Sequence, residues 1–110
     1  RVAKASIMVV KRDGRREAFD REKLYEGVRR ACAKRPISTE ALDQFVDQIE
    51  NRLCSLGQSE VPSRTIGEMV MEALRALDSV AYVRFASVYR SFADVEDYRR
   101  EVDGLLGRDS

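Results

Sequence analysis

The dipeptide Asp13-Gly14 constrains the fold more than any other local feature of this 110-residue chain. Asp-Gly favours the two-residue turns that join antiparallel strands, and the run before it, residues 7–10, is rich in β-branched side chains. We therefore predict an N-terminal β-hairpin with Asp13-Gly14 as its two turn residues. That register pairs Arg12 with Arg15, Lys11 with Arg16, Val10 with Glu17 and Val9 with Ala18.

Two helical segments follow the hairpin, and each has its own start and stop signals. Asp20 predicts the N-cap of a helix over residues 21–34, which Pro36 ends. A second helix starts at residues 38–39 and presents apolar side chains at helical spacing. It extends to Gly57, which stands where a left-handed C-terminal cap belongs.

Three more helical segments complete the chain. A polar link over residues 58–60 precedes Ser63, which predicts the N-cap of a third helix over residues 64–77. A fourth helix begins near residues 78–79 and is apolar nearly all round, so we expect it at the centre of a bundle. An amphipathic fifth helix follows from residue 94. The predicted fold is therefore α+β and mostly helical, with an N-terminal β-hairpin packed on a four-helix bundle plus a C-terminal amphipathic helix.

Several classes of function are excluded by what the chain lacks. It contains no histidine, and its two cysteines, Cys32 and Cys54, are far apart in the sequence. The commonest general base is therefore missing, and a four-ligand zinc site cannot be assembled from two thiols. We expect two free thiols on helix faces, no metal site and no catalysis. No apolar run approaches the roughly 18 residues that a membrane span requires, so we expect no membrane partner.

Positive charge is concentrated at the N-terminal end of the chain. Residues 1–35 hold 12 Lys or Arg against 5 Asp or Glu, whereas residues 36–110 hold 8 against 14. Such a dipolar chain indicates one anion-binding end rather than a surface that is basic all over. A plain nucleic-acid-binding domain is more often basic throughout, with a pI above about 9. The pI of this chain is about 8.0.

The predicted tip of the hairpin carries four cations in two adjacent cross-strand pairs, Lys11 with Arg16 and Arg12 with Arg15. Directly opposed like charges destabilise a two-stranded ribbon, and an isolated hairpin is marginal already. A triphosphate supplies about four negative charges and offsets this repulsion through charge-assisted contacts. A solvated turn whose cations point into water explains the charge alone equally well.

Residues 17–23 supply the other parts of a nucleotide site. Glu17 offers an acceptor for an amino group, Phe19 offers a flat apolar contact, and Lys23 adds a cation one turn inside the first helix. The alternatives are an ion pair between Glu17 and a neighbouring arginine, and a simple exposed helix position for Lys23. The chain has no GxxxxGK[ST] and no GxGxxG motif. An anion would therefore be held by side chains and not by a glycine-rich loop.

Aromatic residues recur at spacings of three and four along the fourth helix, at Tyr82, Phe85, Tyr89 and Phe92. A stripe that packs into the core is the simpler interpretation of this spacing. A tyrosine at the rim of the stripe can still stack on a base, and Tyr89 is the candidate for that role.

Residues 9–24, with the sequence VVKRDGRREAFDREKL, resemble the opening of an ATP-cone, the allosteric domain of many ribonucleotide reductases. Three further segments narrow the resemblance: residues 60–67, which contain EVPSR and IG, residues 80–92, VAYVRFASVYRSF, and residues 34–38, KRPIS. Together they are similar to the ATP-cone domain in a family of bacterial transcriptional repressors of ribonucleotide reductase genes. The resemblance covers about residues 7–98.

The resemblance implies a cytoplasmic sensor of ATP and dATP that is not an enzyme. In that family an N-terminal zinc ribbon binds operator DNA, and nucleotide occupancy changes the homo-oligomeric state and hence DNA binding. It also implies that residues 1–6 are a linker from the zinc ribbon, residues 7–93 the ATP-cone domain and residues 94–110 a C-terminal helix available for oligomerisation. Zinc is accordingly expected only in an N-terminal part that precedes this chain.

The resemblance also assigns roles to polar residues. Lys11 and Arg12 would hold phosphates. Glu17 would read the adenine amino group, and Lys23 would reach phosphate or sugar. Reductase ATP-cones place a histidine near the start of the third helix, where this chain has Gly67.

The walls of the base site are assigned by the same resemblance to Val9, Phe19 and Ile66. A further hairpin cation and the rim tyrosine complete the set. The candidate nucleotide-binding residues are Val9, Lys11, Arg12, Arg16, Glu17, Phe19, Lys23, Ile66 and Tyr89.

The sequence leaves two alternatives open. One is the allosteric ATP-cone of a ribonucleotide reductase catalytic subunit. The other is a helical DNA-binding module whose hairpin contacts phosphate backbones, which predicts a steep salt dependence of DNA affinity for this chain alone. The repressor resemblance predicts the opposite, negligible operator binding without the N-terminal part.

Overall fold

The computed structural model describes residues 6–108; in the C-terminal helix it describes side chains as far as residue 91 and again at residues 95, 99 and 102–105. The linker expected over residues 1–6 lies outside the described residues except for Ser6. The side chains of Phe92 and Tyr98 also lie outside the described part of the chain. The strands are β1 (Met8–Val10), β2 (Arg16–Ala18) and β3 (Glu60–Pro62). The helices are α1 (Arg21–Ala31), α2 (Thr39–Ser55), α3 (Ser63–Leu77) and α4 (Ser79–Arg108).

The hairpin extends into a three-stranded sheet of order β2-β1-β3. Strand β3 pairs in parallel with β1, with Val61 opposite Val9. The sequence predicts only a polar link over residues 58–60, because a strand of three residues is too short to show a strand period. Pairing across some 50 residues of chain is a tertiary effect. Val61 is fully buried, so β3 attaches the hairpin to the helical core.

The predicted register of the hairpin is wrong by one residue. The observed pairs are Met8 with Ala18, Val9 with Glu17 and Val10 with Arg16. The Lys11 N–H donates to the Arg15 carbonyl (2.7 Å), and the Gly14 N–H donates to the Lys11 carbonyl (2.9 Å).

The connection is therefore a three-residue loop and not a two-residue turn. Gly14 adopts a φ of 89°, the left-handed conformation that follows a type I turn in such loops. Asp-Gly is compatible with both loop lengths, so the dipeptide by itself does not fix the register. The shift matters because side chains alternate between the faces of a strand, and a slip of one residue exchanges the faces.

The helix boundaries follow local capping signals. The Asp20 side chain accepts from the backbone of Glu22 and Lys23, and the Ser38 side chain accepts from Ala41, as the sequence predicts for N-caps. Gly57 has a φ of 68° after α2, also as predicted. In α3 the N-cap position belongs to Pro62 and not to the expected Ser63, which is the first helical residue and makes no side-chain cap.

Helix α1 ends at Ala31, three residues before the predicted end at residue 34. The chain turns at Lys34, which has a φ of 62°. The carbonyl groups of Ala31 and Ala33 accept from the Arg84 guanidinium, at 3.2 and 2.6 Å. A donor from a distant helix therefore satisfies the end of α1, and no local signal reveals it.

One core joins the sheet to all four helices, which confirms the α+β, mostly helical class. Both cysteines are free, with Cys32 buried and Cys54 exposed, and burial raises the pKa of the Cys32 thiol. Over the described residues, no helix has the length and hydropathy needed to cross a membrane. The core residues are Ile7, Val28, Ala31, Cys32, Leu42, Phe45, Val46, Ile49, Leu53, Val61, Met69, Val70, Leu74 and Ala81.

Helix α4 departs from the sequence prediction in two respects. It is one continuous helix of 30 residues, so the expected fourth and fifth helices are a single element. It also lies at the side of the bundle and not at its centre, since Val83 is 62% exposed and Val88 is 71% exposed. Apolar residues around a helix signal burial only if neighbours cover every face, and α4 packs against α1 and α3 while Val83 and Val88 stay exposed.

The Asp78 carboxylate joins α4 to the segment after α1. It accepts from the Ala81 N–H (2.9 Å) and from the Arg35 Nε (3.0 Å). The backbone hydrogen bond from Ala81 and the Arg35 guanidinium hold the pKa of Asp78 below its ordinary value. Folding therefore favours the ionised form.

This contribution to stability is complete above the pKa of an unfolded aspartate and is lost as the pH falls through the lower folded value. We expect Asp78→Asn to melt at a lower temperature than the unmodified chain at neutral pH. The difference should narrow as the pH falls below about 4. Thermal unfolding followed by circular dichroism checks this; a pH-independent difference would contradict it.

Candidate functional site

A cavity of about 270 Å³ opens between the hairpin, the start of α1, and one face each of α3 and α4. Four separate elements contribute to it, so its shape depends on the tertiary fold. It brings together eight of the nine candidate residues: Val9, Lys11, Arg12, Glu17, Phe19, Lys23, Ile66 and Tyr89. The residues that sequence reasoning missed are Arg15, Ala18, Asp20, Leu24, Gly27, Ser63, Gly67 and Phe85.

The polar end of the cavity is built by one face of the hairpin. Val9 and Lys11 are two residues apart, so their side chains point to the same face of the hairpin. Glu17 lies directly opposite Val9 on β2, and its side chain shares that face. Glu17 Oε1 lies 3.5 Å from Lys11 Nζ and 3.6 Å from Lys23 Nζ. The Lys11 charge, followed by that of Lys23, lowers the pKa of Glu17. The carboxylate is therefore ionised at neutral pH, between two cations.

Arg16 lies on the opposite face of the hairpin. It is paired with Val10, and its guanidinium contacts the Glu60 carboxylate, with Nε 2.7 Å from Oε2. This contact links β2 to the start of β3 across the sheet. The candidate role of Arg16 therefore has no support from its position, and the reason is the one-residue shift of register.

Arg15 takes the place that the predicted register gave to Arg16. Its backbone pairs with Lys11, and its side chain lines the cavity. The guanidinium Nε donates to Asp13 Oδ2 at 2.7 Å, while the side chain remains 64% exposed. The signal for Arg15 was present in the sequence as one of four hairpin cations, but only the register decides which of them face the cavity.

The apolar walls of the cavity are continuous with the core. Phe19, Leu24, Ile66 and Phe85 are partly buried and pack against core residues on one side while lining the cavity on the other. Since the core fixes their positions, the walls are preformed. Flat apolar walls beside a cluster of cations suit a ligand with an aromatic ring and an anionic group.

Tyr89 closes the cavity on the side of α3. A Cβ atom on Gly67 would lie 2.8 Å from Cδ1 and 2.9 Å from Cζ of the Tyr89 ring, so only glycine allows this approach of the two helices. The Tyr89 hydroxyl is buried and has no hydrogen-bond partner among the described residues. A buried hydroxyl without a partner is costly, and a polar ligand atom in the cavity would satisfy it.

A smaller cavity of about 210 Å³ adjoins the first at the start of α3. The two share Lys11, Arg12 and Ser63, and the smaller one is also lined by Arg64. The free backbone N–H groups of a helix N-terminus and these cations both favour an anion. Phosphate groups of one ligand can therefore extend from the first cavity into the second.

The described residues contain no group of three or more Cys, Asp and Glu side chains that could hold a metal ion. The cavity is lined by cations and by the carboxylates of Glu17 and Asp20, together with apolar rings. The sequence of residues 7–95 matches the ATP cone domain family. The fold and the cavity thus define a nucleotide-sensing regulatory domain, and the chain belongs to the ATP-cone family.

Proteins with sequences similar to this chain show which members of the ATP-cone family it resembles. The Transcriptional repressor NrdR of Thermomicrobium roseum is 59% identical over 105 residues, which cover 96% of this chain and 65% of the relative. The NrdR of Chloroflexus aggregans is 52% identical, covering 99% and 63%, and that of a Roseiflexus species is 56% identical, covering 98% and 71%. The chain accordingly belongs to the family of NrdR transcriptional repressors. It spans about two thirds of the length of these relatives.

Proposed function

We propose that the cavity beneath the hairpin binds an adenine nucleotide, ATP or dATP, and that occupancy controls self-association of a transcriptional repressor. The observation that carries this proposal is the convergence in one cavity of hairpin cations, an ionised carboxylate and apolar rings. These are the three features that a triphosphate, an amino group and a base require.

The phosphates occupy the hairpin end in this proposal. Lys11 and Arg12 line both cavities, and Arg15 lies beside Lys11 on the same face of the hairpin. Lys11 and Lys23 share the single carboxylate of Glu17, so the two lysines together carry an excess of positive charge, which the phosphates of a nucleotide offset. Arg16 is left out, since its guanidinium is engaged by Glu60 on the other face.

The base occupies the apolar end, between Phe19 and Ile66. In this arrangement Glu17 contacts the lysines on one side and faces the base on the other. When phosphate oxygens replace Glu17 as partners of Lys11 and Lys23, its carboxylate becomes available to accept from the adenine amino group. The lowered pKa of Glu17 supports this role, because an ionised carboxylate is an acceptor only.

The relatives are named transcriptional repressors, which supports the same role for the protein to which this domain belongs. We infer that the whole protein is a cytoplasmic repressor and not an enzyme, acting on ribonucleotide reductase genes. Operator DNA is contacted through a zinc ribbon outside this chain, and this domain reports nucleotide occupancy through homo-oligomerisation. On this basis the domain alone should bind operator DNA negligibly, whereas a DNA-binding hairpin would show salt-dependent affinity.

Glu17 gives a sharp test of base recognition. We expect the unmodified chain to bind ATP more tightly than GTP, because guanine presents a carbonyl where adenine presents its amino group. Glu17→Gln retains the size but can both donate and accept, so the preference for ATP should fall by about tenfold or more. Calorimetric titration with ATP, dATP and GTP measures this. An undiminished preference in Glu17→Gln would remove Glu17 from the base site.

A further inference from the structure

A second group of basic residues lies at the C-terminal end of α1, outside both cavities. It combines the last turn of α1, the connection that follows, and one residue of α4. Arg84 of α4 belongs to the group because its guanidinium donates to the carbonyl groups of Ala31 and Ala33, at 3.2 and 2.6 Å. We call this group the second basic patch, and its members are Arg29, Arg30, Lys34, Arg35 and Arg84.

The carboxylates that contact the second basic patch neutralise only part of its charge. Glu26 Oε2 lies 2.8 Å from Arg29 Nη2, and Asp78 Oδ2 lies 3.0 Å from Arg35 Nε. Arg29, and to a smaller extent Arg30, lower the pKa of Glu26. Three of the five cations form no ion pair among the residues that the structure describes, and all three are exposed. The patch therefore presents an excess of positive charge to solvent.

The backbone at Lys34 adds a second, independent observation. Lys34 has a φ of 62°, in the left-handed region where glycine or asparagine is favoured after a helix. A lysine there is strained, and its exposed side chain has no partner among the described residues that would offset the strain. Strained backbone is concentrated at functional positions. Lys34 also begins the segment KRPIS, residues 34–38, none of which lines the nucleotide cavity.

We propose that the second basic patch contacts the phosphate backbone of DNA when the whole repressor is bound to its operator. Exposed arginine and lysine side chains neutralise DNA phosphates and orient a protein on the duplex without reading its sequence. The relatives are named transcriptional repressors, so DNA is the polyanion that such a protein meets. The proposal rests on the proposed repressor role and not on nucleotide binding, because the patch and the cavities share no residue.

The second basic patch is too small to hold DNA by itself. Its three cations without an ion pair supply about three phosphate contacts, whereas proteins that bind DNA tightly make on the order of six to ten. This chain alone therefore binds DNA negligibly, as expected above. Once another part of the protein holds the operator, the patch is tethered close to the duplex, and weak contacts form at a high effective concentration.

The first test is the salt dependence of operator binding by the whole protein, measured by fluorescence anisotropy with and without ATP and dATP. We expect Arg30→Ala/Lys34→Ala to lower the affinity by about 10-fold at low salt. The slope of log affinity against log salt should become shallower by about one for each cation removed. The preference for operator over unrelated DNA should not change, since phosphate contacts carry no sequence information. An unchanged slope overturns the proposal.

Arg52→Ala is the matched control for Arg30→Ala. Arg52 is an exposed arginine in the last turn of α2. It lies beside the other end of α1, because Glu50, two residues before it, contacts Arg21 at 3.7 Å. Its loss should leave the slope unchanged. Equal losses in the two variants would show that net charge and not the second basic patch attracts DNA, which overturns the proposal.

Lys34→Gly separates the charge of this residue from its structural role. Glycine adopts a φ of 62° without strain, so the variant should melt at the same temperature as the unmodified protein or higher. Its DNA affinity should nevertheless fall, with a slope shallower by about one. Circular dichroism and anisotropy on the same preparation measure both. A stable Lys34→Gly variant with full DNA affinity would contradict the proposed contact.

Calorimetric titration of the same variants with ATP distinguishes this proposal from the proposed function. We expect ATP affinities within about threefold of the unmodified protein, because the substitutions lie outside the cavities. Operator binding that weakens as expected in Arg30→Ala/Lys34→Ala, in a protein that does not bind ATP, would overturn the proposed function and support the patch. Nucleotide-controlled operator binding with an unchanged slope would do the reverse. A whole protein that binds no DNA would overturn both.

Discussion

Replacing Lys11 by alanine is expected to weaken ATP and dATP binding by about 10- to 100-fold, the equivalent of one or two charge-assisted hydrogen bonds to phosphate. We expect so large an effect because Lys11 lines both cavities and its side chain, 29% exposed, is partly shielded from solvent. Glu17 keeps Lys23 as a partner in the variant, so the hairpin should remain folded. Calorimetric titration measures the loss of affinity directly.

The matched control is Arg16→Ala, which removes the same charge from the same hairpin. Arg16 faces away from the cavity and contacts Glu60, so its loss should leave nucleotide affinity nearly unchanged. Equal weakening by the two substitutions would mean that net charge and not the cavity attracts the nucleotide. Full affinity in Lys11→Ala would show that the phosphates are held elsewhere.

Replacing Gly67 by alanine is expected to lower the free energy of unfolding by about 1–3 kcal/mol, a typical cost of overpacking a core. The added Cβ would lie 2.8 and 2.9 Å from two atoms of the Tyr89 ring, so the half-buried ring or one of the two helices would have to shift. The cost appears although alanine is the better helix former by about 1 kcal/mol. Urea denaturation followed by circular dichroism measures it.

Gly27→Ala is the control for the helix effect. A Cβ on Gly27 would meet only Phe85, at an ordinary distance of 3.9 Å, so that variant should be as stable as the unmodified chain or more stable. Adding Tyr89→Leu to Gly67→Ala should recover part of the lost stability, because a smaller side chain leaves room for the methyl group. A Gly67→Ala variant of unchanged stability would show that the two helices are not in such close contact.

The same glycine bears on how far sequence reasoning reached. Resemblance placed Gly67 where reductase ATP-cones have a histidine, but it gave no reason for a glycine at that position. The structure supplies the reason, since the Tyr89 ring occupies the space of the missing side chain. Tyr89 itself was a candidate on its spacing, whereas the contact that positions it joins two helices whose packing no local pattern encodes.

Local signals determined most of the secondary structure. Asp20, Ser38 and Gly57 act within one turn of their own helix ends, so their roles are readable from neighbours in the chain. The cavity residues between Val9 and Lys23 were readable for the same reason, because one hairpin and one helix start carry them as a continuous segment.

What only the tertiary structure decided involves partners distant in sequence. The hairpin register exchanged Arg16 for Arg15 in the cavity, since Asp13-Gly14 suits two loop lengths and the final choice depends on which face packs against the core. Contacts between distant segments also decided three other features. They are the pairing of β3 with β1, the end of α1 where Arg84 donates to its carbonyl groups, and the position of α4 at the side of the bundle. Sequence patterns show which residues are apolar or charged, but burial depends on what covers them, and that is decided when the elements pack.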